Sequence, residues 1–161
     1  MATGSILLPI PAHSADPTNP PGLAYTAANR PYLTFDGTTD ELCLWTFRMP
    51  QDYGSGLTIY VQYSMATATA DNIAIRTEVM AIADGEDVDT DSFSAVEASA
   101  DKAVPTGTAG DMDVVSDALG TPTVAARDYI CLRFGRENAT SGTNATGDME
   151  VWAVSLEYTT A

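Results

Sequence analysis

The chain is poor in the residues that do chemistry. It has one histidine, His13, two cysteines, Cys43 and Cys131, and seven lysines and arginines in 161 residues. No G-x-S-x-G, H-E-x-x-H, C-x-x-C or phosphate-loop pattern occurs in it. A Ser-His-Asp triad would have to recruit His13 from a proline-rich segment that lies apart from the alternating region. Carboxylates are plentiful but concentrate in loops, and nothing brings one pair together as a glycosidase requires. An enzyme is therefore not expected, and no cofactor is implied. No apolar run approaches the roughly 18–20 residues that span a bilayer as a helix. The opening stretch, residues 1–11, has no basic region ahead of its short apolar run, so it does not read as a secretory signal. Both cysteines are then expected to be reduced, small core residues; a disulfide between neighbouring strands is the alternative.

Basic charge is scarce against 22 aspartates and glutamates, leaving a net charge of −15. Such a field repels nucleic acid and anionic membranes, so neither is expected as a partner. It favours a soluble surface and tolerates a cationic partner. Apolar residues make up 45% of the chain, too many for a disordered polymer. At this size one domain can bury roughly 70% of the surface its unfolded chain exposes.

Residues 1–30 stand apart. They hold five of the nine prolines, at positions 9, 11, 17, 20 and 21, and only two charges, Asp16 and Arg30. Proline fixes φ and removes a donor, which rules out a helix or a central strand and predicts an extended arm. Fully stretched, such an arm reaches roughly 100 Å. Its tip, Ile6, Leu7, Leu8, Pro9 and Ile10, is apolar. Two readings stand: a disordered leader, or an arm that docks on a neighbouring subunit through those five residues.

From residue 31 onward the pattern is period two. Leu57, Ile59, Val61 and Tyr63 alternate with Thr58, Tyr60, Gln62 and Ser64. Ile73 to Ala81, Ile130 to Phe134 and Val151 to Tyr158 behave alike, and Leu33–Phe35 and Met112–Ala118 add shorter runs. In the segment from Leu42 to Met49 both faces are apolar, which suggests a doubly covered strand and a self-associating surface. Segment 94–104 is weaker, with a strand near Val96 or Val104, or one to two helical turns over 91–102. The count is about eight strands with turn residues between them, an all-β antiparallel sandwich of jelly-roll type. The division is an arm, 1–30, and a sandwich, 31–161.

Three constellations merit weighing. Loop 84–91 carries five carboxylates in eight residues, and Asp87, Asp89 and Asp91 are spaced as hard-cation ligands. Ser92 stands where an EF-hand loop needs glycine, so the ordinary reading is a solvated hairpin loop. Asn138 and Asn144 each begin an N-x-T sequon within a polar connection. The aromatics Tyr53, Tyr60, Tyr63, Trp45 and Trp152 could line a sugar platform, but Trp45 and Trp152 lie mid-strand among apolar alternates, where core packing is the default. Tyr53 and Tyr60 are the better candidates for a sugar platform.

The run from Phe35 to Pro50, Gly56 to Ala66, Gly85 to Phe93 and the ending Gly147 to Tyr158 resemble small β-sandwich structural proteins of tailed bacteriophages, above all capsid decoration, or cement, proteins. The resemblance covers roughly residues 33–158 and carries no marked site residues. It implies a homotrimer on the virion's capsid exterior, made in the bacterial host cytoplasm, binding the major capsid protein and stabilising the shell. The alternative is a carbohydrate-binding sandwich of a phage tail fibre.

Overall fold

The computed structural model describes residues 2–120, 123–139 and 142–161. Its strands are β1 (Thr3–Leu8), β2 (Ser14–Ala15), β3 (Gly22–Tyr25), β4 (Pro31–Phe35), β5 (Leu42–Arg48), β6 (Tyr53–Met65), β7 (Asn72–Ile82), β8 (Glu97–Ala98), β9 (Lys102–Ala103), β10 (Asp113–Leu119), β11 (Tyr129–Glu137) and β12 (Met149–Thr160). They form two antiparallel six-stranded sheets. The front sheet runs β10-β6-β12-β4-β3, with β1 also on β12; the back sheet runs β2-β5-β11-β7-β8, with β9 also on β7. This is the expected all-β sandwich, with twelve strands rather than about eight. Three of the additional strands lie in residues 1–30, and the weak 94–104 strand is two short ones, β8 and β9.

The core lies between the sheets, and period two decides what enters it. From β6 come Leu57, Ile59, Val61 and Tyr63; from β12 Val151, Val154, Leu156 and Tyr158; from β5 Cys43 and Trp45, with Met49 just after it; from β11 Ile130, Leu132 and Phe134. Phe35 and Phe134 meet edge to face across the sheets, with ring centroids 5.3 Å apart. Cys43 and Cys131 are both free, and they point to opposite faces of the back sheet. Burial pushes the Cys43 thiol up, which keeps it inert.

The first thirty residues differ from the free extended arm read from their prolines. β1 pairs along β12 from Thr3↔Thr159 to Leu8↔Val154. Leu8 and Ile10 enter the chain's own core, Ile6 packs against it, and the Trp45 indole N–H donates to the Pro9 carbonyl at 3.0 Å. The prolines fall where no N–H is needed: Pro9 and Pro11 at a 3-10 turn over Ile10–Ala12, the others in the connection before β3. His13 is structural, its Nδ1 donating to the Ile10 carbonyl at 2.8 Å. Of the five tip residues only Leu7 and Pro9 remain exposed.

Segment 91–102 forms no helix. It lies beside β7 as an irregular edge, tied by reciprocal bonds between Ser94 and Val79 and between Ser99 and Ile75. The segment thereby covers part of the back sheet's outer side. Phe93 rests over the Arg133 guanidinium, 4.0 Å from ring centroid to Cζ. Beneath it Glu78, buried in mid-sheet, accepts from Arg76 at 2.9 Å and from Arg133 at 2.9 Å, and Arg76 also reaches Asp40 at 3.5 Å. β5, apolar on both sides, sits inside this sheet between β2 and β11.

Candidate functional site

The outer face of the front sheet is open, and its relief follows from side-chain size. Register places Leu7, Ser155, Tyr60 and Ser116 in one row across β1, β12, β6 and β10. The next row toward Trp152 holds Ala153, Gln62 and Val114. Small residues on the central strand β12 thus lie between taller ones on its neighbours. Leu7 is 68% exposed on one side, and Met112 and Val114 are 55% and 43% exposed on the other. The result is a trough along β12. One part, about 440 Å³, is bordered by Tyr60, Gln62, Ser155 and Glu157. The other, about 630 Å³ and mostly apolar, is bordered by Pro9, Pro11, Arg30, Met112 and Trp152. Leu7 and Ala153 border both. From Trp152 to Glu157 the trough runs about 17 Å at the rise of a strand.

Trp152 reaches this surface through a break in alternation. The register between β12 and β6 shifts between Val151 and Ala153. Val151 and Val154 are both buried, so the two residues between them, Trp152 and Ala153, project outward together. The indole is then held on two sides. Tyr32 stacks on it at 4.6 Å and 27°. Its N–H donates to Ser64 Oγ at 2.8 Å, and that hydroxyl donates to Glu150 at 2.8 Å. Tyr32 does not border the trough, so the trough meets the uncovered part of a fixed ring. β1 and β4 flank the same side of β12, β4 at Met149–Val151 and β1 from Val154 onward. The mostly apolar end of the trough lies at the gap between them.

The other residues singled out from sequence distribute differently. Trp45 and Tyr63 are core. Tyr53 is half-buried, its ring 5.7 Å from Tyr158. Tyr60 lies in the trough as an outward residue of a regular strand. Asp87 Oδ1 accepts from the Asp89 amide at 3.0 Å, and among the described residues no group of three His, Cys, Asp or Glu side chains is arranged to hold a metal. Asn138 and Asn144 bond to one another, and Asn144 also accepts from the Ala139 amide. Sequence reasoning missed Tyr32, Leu7 as a wall, and the outward Trp152. Only the bulge would have signalled the last.

No family model and no curated protein matches the chain. Solved structures share its fold. A native family 35 carbohydrate binding module from Clostridium thermocellum is 12% identical over 95% of this chain and 97% of its own, with a TM-score of 0.54. The xylan-binding module CBM15 is 11% identical over 98% and 97%, at 0.51. A Glycosylation Associate Protein (Gap123) complex from Streptococcus agalactiae is 10% identical over 98% of this chain and 26% of its own, also at 0.51. The chain is thus a β-sandwich of the jelly-roll architecture seen in carbohydrate-binding modules. The capsid-decoration role implied by the sequence resemblance finds no support among these likenesses.

Proposed function

We propose that this chain is a non-catalytic carbohydrate-binding module whose glycan lies in the trough of the front sheet. The observation that carries the reading is the fixed Trp152 ring at one end of an open groove with polar residues at the other. An aromatic plane takes the apolar C–H face of a sugar ring, and Tyr60, Gln62, Ser155 and Glu157 supply donors and acceptors for hydroxyls. A pre-set ring costs little ordering entropy on binding, which favours weak but specific recognition. The jelly-roll likeness supports the class without identifying a ligand. A neutral glycan suits the polar part of the trough better than an acidic one, since Glu157 borders it. Placement on a phage tail fibre rests on the sequence resemblance alone.

The test is affinity electrophoresis through neutral polysaccharides, followed by calorimetry with oligosaccharides of the retarding polymer. Retardation that Trp152→Ala removes and Tyr53→Ala leaves intact is the expected result. Failure of every neutral glycan to bind, or equal binding by Trp152→Ala, overturns the reading.

A further inference from the structure

The opposite sheet carries a second cavity of different chemistry. It has a volume of about 550 Å³ and lies where β5 and β7 end and β11 begins, bordered by Arg48, Ile82, Asp84, Arg127, Asp128 and Tyr129. Arg48, Tyr129 and Ile82 form one cross-strand row. Tyr129 is 44% exposed, in contrast to the buried Ile82 beside it.

Two of the chain's seven cationic side chains meet here. The Arg48 Nε–H donates to the Arg127 carbonyl at 3.2 Å, which holds its guanidinium against that residue's backbone. Asp128 accepts from the Ala125 amide at 2.7 Å instead of pairing with either arginine. Among the described residues neither arginine forms an ion pair, whereas Arg76, Lys102 and Arg133 do. Arg30 and Arg136 form none either, so what sets this place apart is that two guanidiniums without ion pairs border one cavity. Arg127 also adopts φ 77°, a left-handed conformation that favours glycine. A non-glycine residue held there is the kind of local strain that collects at ligand sites.

We propose that this cavity binds the phosphate monoester of a sugar. One guanidinium fork satisfies both oxygens of a carboxylate. Two forks match a group with three terminal oxygens and a double negative charge, which is a phosphate monoester. The cavity is much larger than a bare ion, and its size suits a small organic ligand. The exposed Tyr129 ring offers a face to the sugar, and the Asp84 carboxylate accepts from its hydroxyls. The chain's overall negative field acts weakly at this range, since screening at physiological salt has a length of about 8 Å, whereas the two arginines act at contact. This site is separate from the trough and does not rest on its reading.

The test is isothermal titration of the full chain with glucose 6-phosphate, inorganic phosphate, glucose and galacturonate. Glucose 6-phosphate should bind most tightly and should weaken as salt is raised. Arg127→Gly should weaken it roughly tenfold or more. That variant should also fold well, because glycine suits the backbone there; a melting temperature at or above wild type confirms it. Trp152→Ala should leave this binding unchanged, so failure here is distinguishable from failure of the trough. Equal affinity for inorganic phosphate would mean an adventitious ion only and overturn the proposal. So would equal affinity for galacturonate, or wild-type binding by a folded Arg127→Gly.

Discussion

The two outer faces of this sandwich are finished in opposite ways. The back sheet is partly sealed by Phe93 of the segment beside β7, over an Arg76–Glu78–Arg133 cluster. Among the described residues the front sheet has no such cover over β6 and β12, and its walls of Leu7, Met112 and Val114 stand in water. Leaving apolar walls uncovered forgoes burial worth roughly 25 cal/mol per Å². Charge buried as a cluster holds a cover in place; apolar relief left open offers a surface for a ligand.

Removing the hub of the sealed side should have the largest effect. Glu78→Ala leaves two arginines facing each other in a half-buried setting. Breaking a buried pair on one side costs about 3 kcal/mol. Urea unfolding should show that loss, and a change below about 1 kcal/mol would mean the cluster is not a clamp. On the open side the effect is on binding. Ala153→Leu raises the floor of the trough, so glycan retardation should vanish while stability moves by no more than about 1 kcal/mol, as for a half-buried surface position. Retained binding would move the ligand elsewhere. Phe93→Ala should cost about 1 kcal/mol through the lost cation–π contact. Hydrogen exchange should quicken at the amides of Ser94 and Ser99 and stay unchanged in β12.

The smallest effect concerns pH. Burial, followed by the charge of Glu97, raises the Asp117 carboxyl above its ordinary value of 3.8. The folded state therefore holds this proton more tightly than the unfolded one. Its stabilising contribution is complete below pH 3.8 and is lost as pH rises through the higher folded value. Asp117→Asn should raise the melting temperature at pH 7 relative to wild type and leave the two proteins closer at pH 3.5. An unchanged difference at the two pH values would exclude titration of this group.

Much of the fold was readable from alternation alone, because β7, β11 and the Leu57–Tyr63 part of β6 keep strict phase against a partner on each side. Two features were not, for the same physical reason: they depend on residues distant in sequence. The prolines of the first thirty residues argue correctly against a central strand, yet they are silent about β12, whose edge β1 occupies. Trp152 falls in phase with Val154, Leu156 and Tyr158 by simple counting. One extra residue in β12 reverses that phase, turning a core tryptophan into the floor of a groove. The acidic loop shows the converse: its D-x-D-x-D spacing is visible at once, but in the fold an aspartate bonds its neighbour's backbone.

β12 is the hub of the front sheet, holding β6 along one side and β4 and β1 along the other. A ribosome making this chain releases that hub after every other strand. Until then the front sheet cannot close, and the first strand has nowhere to pair. β6 and β10 can meet early, but Leu8 and Ile10 must wait with their apolar surface uncovered. Folding of this domain is therefore tied to the completion of its last twelve-residue strand. A nascent chain stalled before residue 149 should remain open to protease and bind holding chaperones, and one stalled with β12 clear of the exit tunnel should resist both.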